Sequence, residues 1–345
     1  LLNIISDAVL KYWTSGRKTK RSPSGWVSGN APCCIHNGET ADTRGRGGLH
    51  TDTSGSISYS CFNCNFKASY QPGRHLTFKF RKLLKWLGAD DTDIKRLVIE
   101  AIRVRELVNP EEVKAEAEEE KIDFKARDLP EGAVSFQQFF TFYELNNFEN
   151  IPSLLNSAID YTNSRKINYD KYDFYWTDNT EHSLHQRVII PCIWKGKTIG
   201  YTSRAFVDGV KPKYYSHYEP NFVFNMNNQL PDSKFVIVCE GPFDAMSVDG
   251  VAVLNNECNE TQADIIESLG REVIVVADRD RAGAKMINNA IEYGWSVSFP
   301  VWLETCKDVN EAVCKYGRLF VLKTILDSKQ SSKLKIELMK KKLYN

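Results

Sequence analysis

The chain has 345 residues, 42% of them hydrophobic and 26% charged, with a net charge of +1. That length gives room for two or three domains, and the composition is that of a soluble globular protein. No apolar run approaches the roughly 20 residues that span a membrane, and the opening LLNIISDAVLKYW is too short and too interrupted for a signal peptide. The first residue is Leu rather than Met, which suggests a trimmed N-terminus. Nine cysteines in so long a chain are not a secreted disulfide scaffold; Cys192, Cys239, Cys258, Cys306 and Cys314 are isolated and read as small buried hydrophobes. A reducing, cytoplasmic compartment is expected.

Charge is unevenly placed. Residues 1–82 carry twelve Lys/Arg against four Asp/Glu, residues 105–131 five against ten, and residues 316–345 eight against two. Basic ends around an acidic middle suggest a polyanion touching separate parts of the chain. Solvated surface would give the same counts.

Residues 1–104 begin with a stretch rich in Gly, Ser, Thr and Cys that holds short strand-like pieces such as SISYSCF. Helical sequence follows: FKFRKLLKWLG stops at Gly88, and DDTDIKRLVIEAIRV opens on an acidic turn. Residues 105–131 are polar, carry Pro110 and Pro130, and read as an exposed acidic linker. Residues 132–232 are mixed α/β and rich in Tyr and Phe. From 233 to 315 apolar strands (FVIVC, VAVL, EVIVVA, SVSFPVW) alternate with helices, which predicts a mainly parallel sheet covered on both faces. Residues 316–345 read as a basic helical segment.

Two motif pairs carry chemistry. Cys33-x2-His36 and Cys61-x2-Cys64, 24 residues apart, place two ligands each on opposing turns beside strand-like sequence. That is the layout of a zinc ribbon with a closed, structural tetrahedral site. Cys34 could replace Cys33, and His50 is a weaker substitute ligand. Nearby Tyr59, Phe62, Phe66, Lys67, Arg44 and Arg46 could stack bases and meet phosphates, or form the ribbon's own small core.

The second pair lies at strand ends. Glu240 follows FVIVC, with Gly241 for a tight turn and Asp244 opening the next helix; Asp278 and Asp280 follow EVIVVA; Asp308, Asn310 and Glu311 stand at a third such end. Side chains two apart on extended backbone point the same way, and open parallel sheets bind ligands beyond the carboxyl ends of their strands. Carboxylates converging there repel unless a cation is present, and hard oxygen ligands select Mg²⁺ or Mn²⁺. Helix N-capping would explain one or two of these acids, though not all of them. Gly196-Lys-Thr198 is not a phosphate loop, because Pro191 stands where its first Gly is needed; the segment reads as a hairpin.

Glu240-Gly-Pro-Phe-Asp244, Asp278-Arg-Asp280-Arg-Ala-Gly283 and Lys307-Asp-Val-Asn310 resemble the three motifs of the TOPRIM fold. Cys33-Cys-Ile-His36 with Cys61-Phe-Asn-Cys64 resembles the zinc-ribbon motif of DnaG-type DNA primases. Arg187-Val-Ile-Ile-Pro191, Ile199-Gly-Tyr-Thr-Ser-Arg204 and Lys211-Pro-Lys-Tyr214 resemble the basic subdomain that precedes TOPRIM in those primases. The motifs cover about half the chain, in the same order, and the length is similar to that of the stand-alone primases of T-even-like bacteriophages.

The resemblance implies a DNA primase that joins ribonucleoside triphosphates into short RNA primers on a single-stranded DNA template. It implies Zn²⁺ on Cys33, His36, Cys61 and Cys64. It implies Mg²⁺ or Mn²⁺ on Glu240, Asp278, Asp280 and Asp308, with Asp244 in support. Arg187, Arg204, Lys211, Lys213 and Tyr214 would hold template or triphosphate. A replicative helicase, single-stranded DNA-binding protein, no membrane, and the cytoplasm of a bacterial host for a viral protein complete the expectation. Asn310 departs from the acid often found at its position. The competing readings are another TOPRIM enzyme (a topoisomerase or nuclease) and a non-catalytic binder resembling the RecR recombination proteins. The basic segment after 316 is expected to serve partner or DNA binding, so that removing 329–345 leaves synthesis largely intact.

Overall fold

The computed structural model describes residues 3–107, 123–145, 151–178, 184–302 and 306–344. The chain divides into two compact units, Leu1–Glu119 with Glu267–Arg271, and Glu120–Ile266 with Glu272–Asn345.

The first unit opens with a helix that the sequence reading missed, α1 (Ile4–Thr14), whose Ile5, Val9 and Trp13 recur at helical spacing and are fully buried. Five strands follow, β1 (Lys20–Arg21), β2 (Val27–Gly29), β3 (Gly47–Thr51), β4 (Ile57–Cys61) and β5 (Lys67–Tyr70). They pair in chain order, all antiparallel. Alternation along β4 (Ile57, Tyr59 and Cys61 in; Ser58 out) buries one face against α1. Two helices close the unit, α2 (Phe78–Trp86) and α3 (Asp91–Leu107). Thr77 caps α2 by accepting from the Phe80 amide at 3.2 Å.

Of the acidic stretch 105–131, residues 108–122 lie outside the described residues. Its last part, 123–131, is exposed at Asp123, Lys125, Ala126, Asp128 and Glu131 but anchored through buried Phe124. Phe124 meets the rings of Trp194 and Phe222 edge-on at 5.0 and 6.0 Å, and the Arg127 amide donates to the Thr198 carbonyl at 3.1 Å.

The second unit holds two sheets. The first takes β6 (Val134–Ser135), then helices α4 (Phe136–Leu145) and α5 (Ser153–Ser164), then β7 (Tyr175–Trp176), β8 (Arg187–Trp194), β9 (Lys197–Ala205) and β10 (Tyr214–Tyr218). These strands run antiparallel in the order β10-β9-β8-β7-β6. The Gly-Lys-Thr segment is the β8–β9 hairpin. Lys195 and Gly196 both take positive φ (47° and 78°), as a two-residue turn matched to strand twist requires.

The second sheet follows the expected alternation. Its elements are β11 (Phe235–Cys239), α6 (Pro242–Val248), β12 (Val251–Ala252), α7 (Glu260–Glu267), β13 (Glu272–Val275), α8 (Gly283–Tyr293), β14 (Ser296–Ser298) and α9 (Val309–Tyr316). After them come α10 (Arg318–Asp327), β15 (Lys329–Gln330) and α11 (Lys333–Leu343). The strand order is β12-β11-β13-β14-β15. The first three pairings are parallel, and β15 adds antiparallel to β14. The segment after 316 therefore is not only helical: it supplies a sheet strand. Connections leave β11 toward β12 on one side and β13 on the other, so the topological switch lies between β11 and β13. Among the described residues, no helix is long and apolar enough to cross a membrane.

Candidate metal centres

In the first unit, the thiols of Cys33, Cys34, Cys61 and Cys64 lie within 4.8 Å of one another. Cys33 and Cys34 enter a short 3₁₀ turn, Cys61 ends β4, and Cys64 lies in the turn that follows β4, just before Asn65 with its positive φ of 57°. Cys33 Sγ is 3.4 Å from Cys64 Sγ, and Cys34 Sγ is 3.6 Å from Cys61 Sγ. Zn–S bonds of about 2.3 Å in a tetrahedron put sulfurs about 3.8 Å apart, so the spacing fits one zinc ion. Three of the four residues are buried. Burial pushes the Cys33 and Cys34 thiols up, so a cation bound there would have to displace their protons, and its affinity would rise with pH. Polar groups already face the sulfurs: the Asn63 amide NH to Cys61 at 3.4 Å, Asn63 Nδ2 to Cys34 at 3.4 Å and the Tyr59 hydroxyl beside Cys33 at 3.3 Å.

His36, expected as a ligand, is replaced in this group by Cys34. Its ring stacks flat on Trp86 of α2, with centroids 4.7 Å apart and planes 5° apart. Adjacent cysteines serve different partners, Cys33 facing Cys64 and Cys34 facing Cys61, which a two-residue knuckle spacing does not anticipate. His50 instead lies against Trp26. Tyr59 is buried and Phe66 packs on the core, whereas Phe62 is 82% exposed. Asp42 holds the loop carrying the arginines by accepting from the amides of Arg44 (2.9 Å) and Arg46 (2.7 Å).

In the second unit, Glu240 and Asp278 leave the carboxyl ends of β11 and β13 at the switch point. FVIVC is buried at four of its five positions, as a central parallel strand must be, and delivers Glu240 at 8% exposure. The Asp278 amide donates to Glu240 Oε1 at 3.1 Å. Asp244, in the first turn of α6, accepts from the Asn310 amide at 2.9 Å. Asp280 accepts from the amides of Ala282 (2.8 Å) and Gly283 (2.9 Å). Asp308 caps α9 by accepting from the Glu311 amide at 2.7 Å. Main-chain amides thus fix one oxygen of each of Glu240, Asp244, Asp280 and Asp308. Among the described residues no hydrogen bond reaches their second oxygens. Gly283 is required: a Cβ there would lie 2.1 Å from the Asp278 carbonyl oxygen.

Electrostatics tie these acids together. Burial, then the charges of Asp280 and Asp244, raises Glu240 to about 7 against the Asp278 amide's opposite pull. Burial, then Glu240, Asp308 and Asp280, raises Asp278 to about 8. Burial, then Asp308 and Asp278, holds Asp244 well above the usual carboxylate range. The cluster is open: among the described residues, only the cysteine set brings three or more ligand atoms all within 4.8 Å of one another. Oxygen donors that are desolvated, mutually repelling and anchored on one side fit a divalent cation.

The basic residues divide by role. Lys213 is exposed, and burial of its stem with Arg204 and Arg165 nearby pushes it down while Asp308 and Asp278 pull it up. Lys211 is exposed as well. Arg187 is 1% exposed and its guanidinium donates to the Pro212 and Lys213 carbonyls. It therefore positions the loop that carries Lys213 and cannot itself meet solvent ligands. Arg204, 9% exposed, stacks on the Tyr214 ring at 4.6 Å.

Arg165, which the sequence did not point to, and Asn310, whose role it left open, join the site. Arg165 of α5 stacks on Tyr161 and Phe243 and donates to Asn310 Oδ1 at 3.0 Å. Asn310 is 1% exposed and its Nδ2 donates to the Arg165 carbonyl (2.9 Å) and Ser247 Oγ (2.8 Å). Both ends of its side-chain amide are thus engaged by protein groups. Arg165 and Asn310 are 145 residues apart in sequence, and no local pattern marks their pairing.

Residues 237–313 match the Toprim-like family. The DNA primase of Aquifex aeolicus (strain VF5) is 25% identical over 152 residues, 39% of this chain and 30% of that protein. The chain thus aligns with less than a third of the curated relative it matches. Solved structures that the chain matches include a DnaG primase catalytic domain bound to ssDNA (18% identity, TM-score 0.45, 59% of this chain and 84% of that one). Another is the zinc-binding and RNA polymerase domains of the Aquifex aeolicus primase (18% identity, TM-score 0.44, 95% and 85%).

Proposed function

We propose that this chain is a DNA primase of the stand-alone type found in T-even-like bacteriophages, making short RNA primers on single-stranded DNA. The observation that carries it is the set of carboxylates, Glu240, Asp244, Asp278, Asp280 and Asp308, around the β11/β13 switch point of a segment that matches the Toprim-like family. Sequence similarity to a DNA primase supports it, as does a four-cysteine group elsewhere in the same chain.

Cys33, Cys34, Cys61 and Cys64 would hold a structural Zn²⁺. Glu240, Asp278, Asp280 and Asp308 would hold Mg²⁺ or Mn²⁺, with Asp244 steadying α9 through the Asn310 amide. The chemistry such a cation would supply is a lowered pKa of a nucleotide 3′-hydroxyl and an offset of charge on the transferring α-phosphate. Lys213, Lys211 and Arg204 would attract the triphosphate or template backbone. Arg187 would keep the Lys213 loop in place through its carbonyl contacts. Ribonucleoside triphosphates and single-stranded DNA are the substrates on this reading, and a replicative helicase and single-stranded DNA-binding protein the partners, in a host cytoplasm.

The test is incorporation of labelled ribonucleotides on single-stranded templates of varied sequence. Short, template-dependent RNA products support the assignment. Relaxation, cleavage or binding of DNA without ribonucleotide incorporation would replace it by a topoisomerase, nuclease or binding protein.

A further inference from the structure

The segment after the parallel sheet, expected to serve partner or DNA binding, packs one face of its last helix on α8 and reaches the strand exit beside the acidic site through Tyr344. Strand β15 adds to the edge of β14 with Val297 opposite Gln330 and Ser298 opposite Lys329. Lys329 also pairs with Glu272 at 2.8 Å. Helix α11 then packs along α8. Ile336 is 2% exposed, Lys340 donates to Asn288 of α8, and the Tyr344 hydroxyl donates to the Ala277 carbonyl at 3.2 Å. These three residues are four apart, so they share one helical face. Leu334 and Leu338, on other faces, are 66% and 60% exposed.

Ala277 is the last residue before Asp278, and its carbonyl lies at the exit of β13. Main-chain anchors elsewhere around the site fix one oxygen of each carboxylate, but among the described residues no hydrogen bond to the Asp278 side chain fixes it. The placing of Asp278 therefore depends on its backbone. That backbone is held by the Asp278 amide on Glu240 from one side and by the Tyr344 hydroxyl on the preceding carbonyl from another. The phenol is also close enough to Asp278, Glu240, Asp280 and Arg279 to feel their charges.

We propose that Tyr344 is a positioning residue for the cation-binding carboxylates: α11 carries its hydroxyl to the Ala277 carbonyl and so fixes the strand exit that aims Asp278. This rests on the function proposed above. It also reverses the expectation that residues 329–345 are dispensable for the chemistry.

The experiment is Mn²⁺ titration of the full chain, read by the loss of free-ion paramagnetic resonance signal, for the parent protein, Tyr344→Phe, Tyr344→Ala and Lys340→Ala. Tyr344→Phe removes one hydroxyl and should weaken Mn²⁺ binding about three- to tenfold, the scale of one hydrogen bond, with the thermal midpoint within about 2 °C of the parent. Tyr344→Ala should weaken it further and Lys340→Ala less. In ribonucleotide incorporation, the Mn²⁺ concentration for half-maximal rate should rise in the same ratio for Tyr344→Phe. Parent-like Mn²⁺ affinity in Tyr344→Phe would overturn the proposal. So would an affinity loss that only follows loss of folded protein. Should the parent incorporate no ribonucleotide, the primase reading fails while the Mn²⁺ titration still decides the role of Tyr344.

Discussion

The main-chain amide of Asp278 donates to Oε1 of Glu240 across the gap between two parallel strands. One acid is thereby oriented by the backbone of the other, at the point where the sheet's connections diverge. Replacing Glu240 by Gln keeps the acceptor oxygen and the shape but removes the charge. Primer synthesis by Glu240→Gln should fall by about a hundredfold or more, the usual scale for losing a group that organises charge in the reaction. Its thermal midpoint without added divalent ions should hold or rise, because a repelling buried charge has gone. A calorimetric scan beside a rate assay checks both.

The pH dependence of stability follows from the same repulsion. Unfolded, Glu240 and Asp278 ionise near 4.5 and 3.8; folded, burial and neighbouring acids raise them to about 7 and about 8. Between those limits the folded chain holds protons that the unfolded chain has released. Stability from these groups therefore falls as pH rises from about 4 through 8. Without added divalent ions the thermal midpoint of the catalytic unit should drop between pH 5.5 and 8.5. Added Mg²⁺ should raise it more at pH 8.5 than at 5.5, since the ion binds the ionised cluster. Equal effects of Mg²⁺ at both pH values would count against a carboxylate site.

Asn310 should behave as a structural residue. Asn310→Ala leaves Ser247 Oγ and the Arg165 carbonyl without their buried donor, and should lower stability by about 1–3 kcal/mol. Mn²⁺ affinity of the folded fraction should be nearly unchanged. Denaturant unfolding alongside metal titration separates the two effects.

Much of this was legible in the sequence. FVIVC and EVIVVA are continuous apolar runs, so buried parallel strands and the acids that follow them could be placed from pattern alone. The zinc-type cluster was legible as paired knuckles, but Cys33 was paired with His36 and Cys34 set aside, because spacing rules count residues and not the path of a turn. Arg187 was expected to hold template or triphosphate, because a sequence shows its charge without its burial. Arg165, Asn310 and Tyr344 act through contacts between elements far apart in the chain, where no periodicity reports them. Helix α1 was overlooked in a region whose Gly, Ser and Thr content suggested strands, although Ile5, Val9 and Trp13 carry the spacing.

The cysteine group separates the two candidate ligand sets directly. Cys34→Ser should release about one zinc per chain, while His36→Ala should retain it and lose only the stacking on Trp86. Metal analysis after gel filtration reads both. Zinc loss in His36→Ala with retention in Cys34→Ser would restore the mixed histidine–cysteine set.

Gly283 tests the packing that brings helix α8 against the Asp278 carbonyl. Gly283→Ala inserts a methyl where 2.1 Å is available, so either α8 or the strand exit must shift. Stability should fall by about 1–3 kcal/mol, the scale of overpacking, and Mn²⁺ affinity should fall with it. Parent-like values in both titrations would show that the helix has room to move.

The central claim is that the carboxylates at the β11/β13 switch perform metal-dependent ribonucleotide transfer. The most direct measurement compares labelled ribonucleotide incorporation on single-stranded DNA by the parent chain and by the Asp278→Ala/Asp280→Ala double variant, each with and without Mg²⁺ or Mn²⁺. The predicted result is short RNA from the parent only when the ion is present, and a loss of orders of magnitude in a double variant that remains folded. RNA synthesis by the double variant at a rate near the parent's would contradict the assignment.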